Sequence, residues 1–213
     1  MAAGLTVSGR KSAHSTKVLD TRFRAAIERM DAFNRADPNH EIVAGKEYPK
    51  ELLYAERMTA WLARLAPDAS EALQLAVRSQ HIGRWTIPRS NYPMDRRGYH
   101  QWRTELARFH AQTAREIMQD TGYDEATIAR VESLLKKTHL KNDPEAQRLE
   151  DTACLVFLEH YFSAFAQKHD EQKLIEILQK TWKKMSTQAQ QTALTLTLAD
   201  ADRALIEKAL SAI

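Results

Sequence analysis

Apolar residues return every three to four positions along nearly the whole chain, and the longest interruption of that rhythm is the run Trp85 to Arg97, WTIPRSNYPMDRR. A 3.6-residue period gives each segment one apolar stripe, which another helix packed against it can cover. Glycine and proline, six of each in 213 residues, are too few for the turns of a sheet protein. The length suits one well-buried core rather than two. The expectation is an all-α, single-domain multi-helix bundle over residues 17–213, after a flexible start over 1–16. No window holds the roughly 20 apolar residues of a membrane span, so a soluble, cytoplasmic protein without membrane contact is expected. The start, with Arg10, Lys11 and Lys17 and no acid, would also suit an organelle transit segment. A single cysteine, Cys154, excludes an internal disulfide and a thiolate metal site, and reads as core.

Helix ends follow from stop and cap signals. The first helix is expected over 18–37, ended by Asp37-Pro38. A loop through Gly45 leads to Pro49, which suits the first turn of a second helix with Leu52, Met58, Leu62 and Leu65 inward. Asp68 with Glu71 reads as a capping box for a third helix reaching about Arg84. A fourth runs from Gly98 to about Thr121, a fifth follows Asp124, and a sixth starts at Asp143-Pro144. The apolar run Thr152 to Leu158 places that sixth helix at the centre of the bundle. Asp170, Ser186 and Ala201 open the last three. The Pro- and aromatic-bearing run 85–97 reads as an ordered loop, and loops of that length inside compact domains are commonly functional.

Several stripes carry polar groups where apolar ones belong. The face set by Leu73 and Val77 continues at Gln80, His81 and Arg84, and Arg103, His110 and Ile117 share one line of the fourth helix. Unpartnered, such groups would cost a few kcal/mol each, so these stripes are expected to open into a polar cavity. Glu56 borders the apolar face of the second helix. Glu150 and Asp151 precede the most apolar run, where a carboxylate needs a cation, a metal or a helix end. Glu56, His81, His110 and Asp151 form a candidate oxygen and nitrogen ligand set for a divalent metal, Mn, Mg or Fe. Asp151 pairing with Arg148, and His81 as a hydrogen-bonded packing residue, are the structural alternatives. A net charge of +3 is too small to indicate nucleic acid. Locally, however, Arg84, Arg89, Arg96, Arg97 and Arg103 face only Asp95, which hints at an anion site. Lys180, Lys183 and Lys184 around Trp182 read as a solvated face, with reach to an anionic ligand as the alternative.

The blocks YAERMTAWL (Tyr54 to Leu62), RSQHIGRWTIPRSNYPMDRRGYHQWR (Arg78 to Arg103), LEDTACLVFLE (Leu149 to Glu159) and KTWKKMS (Lys180 to Ser186) resemble the uncharacterised family called domain of unknown function 4202. That resemblance implies no established activity. AVRSQHIGRW more distantly resembles the His-Asp doublet segment of the HD-domain metal-dependent phosphohydrolases, which are all-α. In that register Gln80 and His81 take the doublet, Tyr54 the first histidine and Asp151 the late aspartate, and His110 and His139 fall near the additional histidines of two-metal members. Two or three of the usual ligands are therefore replaced.

The leading expectation is an HD-like metal-dependent hydrolase of a phosphorylated small molecule, a nucleotide among the candidates. Arg84, Arg89, Arg96, Arg97 and Arg103 would meet the phosphate, since guanidinium matches its oxygens bidentately. Trp85, Tyr92 or Trp102 would stack on a base. A metal on Glu56, His81, His110 and Asp151 would activate water, with His81, Asp151 and Glu150 as the catalytic set. The alternative is a non-catalytic module that clamps an anionic ligand or an RNA segment with the same arginines and aromatics, and a third is a protein-interaction scaffold using the basic loop.

Overall fold

A computed structural model describes residues 10–138 and 142–211. In chain order come α1 (Arg10–Arg35), the hairpin β1 (His40–Val43) and β2 (Lys46–Pro49), α2 (Lys50–Leu65), α3 (Glu71–Ser79), α4 (Arg96–Asp120), α5 (Glu125–Lys136) and α6 (Pro144–Val156). A π turn over Phe157–Tyr161 leads into α7 (Phe162–Ala166), and α8 (Glu171–Lys184), α9 (Thr187–Ala193) and α10 (Asp200–Leu210) complete the chain. The architecture is all-α apart from the hairpin. No described helix is long and apolar enough to cross a membrane.

The caps lie where short polar side chains precede apolar runs. Asp124, Asp143, Asp170 and Ser186 each accept an amide from the first turn of α5, α6, α8 and α9, satisfying donors that would otherwise lack partners, at about 1 kcal/mol each. The third helix departs from expectation. Its cap is Ser70, which accepts from Leu73 N, and it ends at Ser79, before Gln80. The first helix begins earlier than the expected Val18, at Arg10, and α9 stops at Ala193, short of the expected Leu198. The loop expected through Gly45 is a hairpin. Ala44 (φ +50°) and Gly45 (φ +78°) form its two-residue turn, and positive φ at both positions matches the twist of the flanking strands.

Helix α6 occupies the middle, packed on α2, α3, α5, α8 and α9. Leu149, Leu155 and Val156 from it join Met58, Trp61, Leu62, Leu75 and Phe162 in one continuous core. A buried ion pair in this packing is made by Arg78, only 8% exposed. Its guanidinium donates to both carboxylate oxygens of Asp31 (2.7 and 2.6 Å) and to Thr59 (3.1 Å), tying α3 to α1 and α2.

The turn after α3 is held from two sides. Gly83 donates its amide to Asn34 Oδ1 (3.0 Å), and Ile82 O accepts from His110 Nδ1 (2.7 Å). Gly83 has φ +64°, and a Cβ there would sit 2.7 Å from the ring of Phe33 and 2.8 Å from that of Phe109. The long loop beyond folds on itself as two short 3₁₀ turns. Arg89 donates to Tyr92 O and Pro93 O (3.0 and 2.7 Å), and Trp102 Nε1 donates to Ile87 O (2.8 Å). A Cβ on Gly98 would lie 2.1 Å from Pro93 O, so only glycine lets the loop close on the start of α4.

Candidate functional site

Two adjoining clefts, of about 510 and 410 Å³, share Gln80, His81, Arg84, Arg103 and Lys137. Helix α2 supplies Lys50, Glu51 and Tyr54 to the larger, α6 and the π turn supply Glu150, Phe157 and Tyr161, and α8 supplies Lys184. The smaller continues along α4 to His110 and to the end of α5.

The polar centre is a chain of named donors and acceptors. His81 Nδ1 lies 3.2 Å from Glu51 Oε2, and its Nε2 lies 3.2 Å from Arg84 Nη1. A guanidinium only donates, so Nε2 is the acceptor and the ring proton is on Nδ1, given to Glu51. The His81 ring stacks on Tyr54 at 4.0 Å, and the Tyr54 hydroxyl donates to Gln80 Oε1 at 2.9 Å. Burial and the neighbouring guanidinium of Arg84 hold His81 well below its usual range, so it is a neutral imidazole. His110 is neutral for the same reason, pushed down to about 3 by burial. Its Nδ1–H goes to Ile82 O, and its buried Nε2 has no partner among the described residues. Arg84 lies over the indole of Trp102 (4.7 Å) with Nε 3.9 Å from Glu51 Oε1.

Burial raises the Glu51 carboxyl to about 7, against the opposing pull of Arg84. A folded-state value above the unfolded one means that this group's stabilising contribution is complete below about 4.5 and is lost as pH rises through about 7. The two buried histidines act oppositely, so the effect is read as a difference. The melting temperature of the wild type minus that of Glu51→Gln is expected to fall by about 5 °C between pH 5 and pH 8, from about 2 kcal/mol. A difference that is flat with pH would show that Glu51 titrates normally.

Lys137 closes α5 in the left-handed conformation (φ +55°) and pairs with Glu150, which Lys184 also approaches at 3.7 Å. These lysines keep Glu150 below its ordinary range despite its burial. Arg103 is exposed on the rim and has no ion pair among the described residues. Cys154 reaches the cleft wall, with its thiol pushed up to about 12 mainly by burial, which leaves it unreactive.

The structure thus brings together His81, Arg84, Arg103, His110 and Glu150 and separates the rest of the expected set. Glu56 is exposed, because it lies two residues, or about 200° of helix, beyond Tyr54. Asp151, fully buried, is spent on helix α9, accepting from Ser186 N (2.8 Å), Ser186 Oγ (2.6 Å) and Gln147 Nε2 (2.8 Å). Neither lines a cleft. Arg89 staples its own loop and Trp102 is the platform under Arg84, and neither lines the two clefts. Trp85 packs toward Phe33 at 6.0 Å, Arg96 is solvated, and Tyr92 and Arg97 border a separate shallow hollow. His139 lies outside the described residues. Lys50, Glu51 and Lys137 line the clefts without having been expected there. For Lys137 the available signal is two lysines at a helix end, and for Glu51 a carboxylate one position from an expected inward Leu52.

A divalent metal does not fit these residues. Both ring nitrogens of His81 are engaged, one by a guanidinium that a cation would have to displace, and no three His, Cys, Asp or Glu among the described residues are grouped to hold an ion. Comparison with curated proteins and with solved structures finds no match. The model of one family, described as Domain of unknown function (DUF4202), matches residues 24–206, the span that contains every element of both clefts, and the chain belongs to that family.

Proposed function

We propose that the joined clefts bind a phosphorylated small molecule by its phosphate, met directly by Arg84, Arg103 and Lys137 rather than through a metal. The observation that carries this reading is the charge at the junction. Lys50, Arg84, Arg103, Lys137 and Lys184 line the larger cleft against two carboxylates, of which Glu51 is half protonated near neutrality. Arg103 in particular has unused donors, and guanidinium geometry favours a phosphate. Calorimetric titration of the full chain with inorganic phosphate in the presence of a chelator tests it. Saturable binding is expected, weakening as salt rises and about tenfold weaker in Arg103→Met, the loss of roughly one charge-assisted hydrogen bond. Absence of binding, or binding unchanged in both Arg103→Met and Lys137→Met, would refute it.

Hydrolysis of the bound ester is the second reading, favoured by a carboxyl with a value of about 7 beside the anion site. In its ionised form Glu51 would take the proton of a water attacking phosphorus while the ester oxygen leaves.

A further inference from the structure

The larger cleft has a second half that the anion site does not use. Cys154, Phe157, Tyr161 and Phe165, spaced three, four and four residues apart along α6, the π turn and α7, all face the cleft. The three rings are only partly buried, leaving aromatic surface open to the cavity. Their orientation is fixed. Phe157 meets Phe165 edge-on at 5.7 Å, and the back of Phe165 is stacked on His169 at 4.1 Å. Across the cleft, Ile177 continues the apolar lining. The same cavity then runs without a break to Arg84, Arg103 and Lys137.

A sugar or other polyhydroxy body placed here would lose hydration against rings and Ile177, with the hydroxyls of Tyr161 and Thr181 too few to replace it. A flat ring would instead gain face and edge contacts from side chains already held in place. Resting on the anion-binding reading above, we infer that the ligand is a phosphomonoester carrying a flat apolar aromatic ring, with the ring against the wall formed by Phe157, Tyr161 and Phe165 and the phosphate at the arginines. This moves ring recognition from Trp85, Tyr92 and Trp102 to the wall after α6.

The test is titration of the full chain with four probes: inorganic phosphate, glucose 6-phosphate, phenyl phosphate and 1-naphthyl phosphate. The aryl esters are expected to bind about tenfold more tightly than inorganic phosphate, with naphthyl ahead of phenyl and the sugar phosphate no better than phosphate itself. Phe165→Leu, which keeps apolar volume and loses the ring, should reduce that preference to less than about threefold. Should this variant not fold, upfield shifts of the naphthyl protons on binding to the wild type give the same reading by NMR. Equal affinity for all four probes, or a preference untouched in Phe165→Leu, overturns the aromatic assignment and leaves the anion site standing. Binding of none of the four overturns both.

Discussion

Replacing Arg78 by methionine is expected to lower the melting temperature by about 12 °C, a larger loss than the substitutions at Glu51 or Asp151 should bring. Methionine fills the aliphatic path of the arginine but strands Asp31, whose carboxylate accepts both guanidinium bonds and is itself only 17% exposed. Breaking a buried pair by removing one partner costs about 4 kcal/mol, because the remaining charge stays desolvated. For a chain of this size each kcal/mol moves the midpoint by roughly 3 °C. The double variant Arg78→Met with Asp31→Asn removes the stranded charge and should recover about half the loss. Calorimetric melting of the three proteins checks this, and a single variant that melts within about 3 °C of the wild type would show that the link between α1 and α3 carries little energy.

Asp151→Ala is the second large effect, and it separates two roles for one residue. As the anchor of α9 it supplies the acceptors for the Ser186 amide and hydroxyl and for Gln147. Its removal leaves buried donors unpaired at about 3 kcal/mol in total, or roughly 10 °C. As a metal or catalytic group it would instead be needed for ligand binding. The expected outcome is a destabilised protein that, below its lowered melting temperature, binds inorganic phosphate as the wild type does. A variant that melts normally but no longer binds would return Asp151 to the site.

The bundle was legible because its signals are local. Asp124, Asp143-Pro144, Asp170 and Ser186 cap helices where a short polar side chain precedes an apolar period, and the segment Thr152 to Leu158 is buried apart from Ala153 and Phe157, which border the cleft. The hairpin was not legible, since Ala44-Gly45 lacks the Asn or Asp that marks such turns. The site was half legible. Gln80, His81, Arg84, Arg103 and His110 betrayed themselves as polar residues on apolar stripes. Glu56 and Asp151 failed for a different reason: a carboxylate near an apolar run can face solvent or cap another helix, and only the direction of its side chain decides. Glu51 sits beside an inward position rather than on it, and Lys137 reaches the cleft through a left-handed backbone that no periodicity encodes. The aromatic wall was hidden because Phe157, Tyr161 and Phe165 repeat at ordinary helical spacing, which reads the same whether the stripe meets another helix or a cavity.

Whether an anion rests at the junction of the two clefts on protein cations alone can be seen directly. Crystals of the full chain grown with tungstate, a heavy tetrahedral analogue of phosphate, would locate it by anomalous scattering. The expected peak lies within hydrogen-bonding distance of Arg84, Arg103 and Lys137. Peaks confined to the exposed Arg96 and Arg97, or a metal bound through His81 and His110 in their place, would contradict direct recognition of the phosphate.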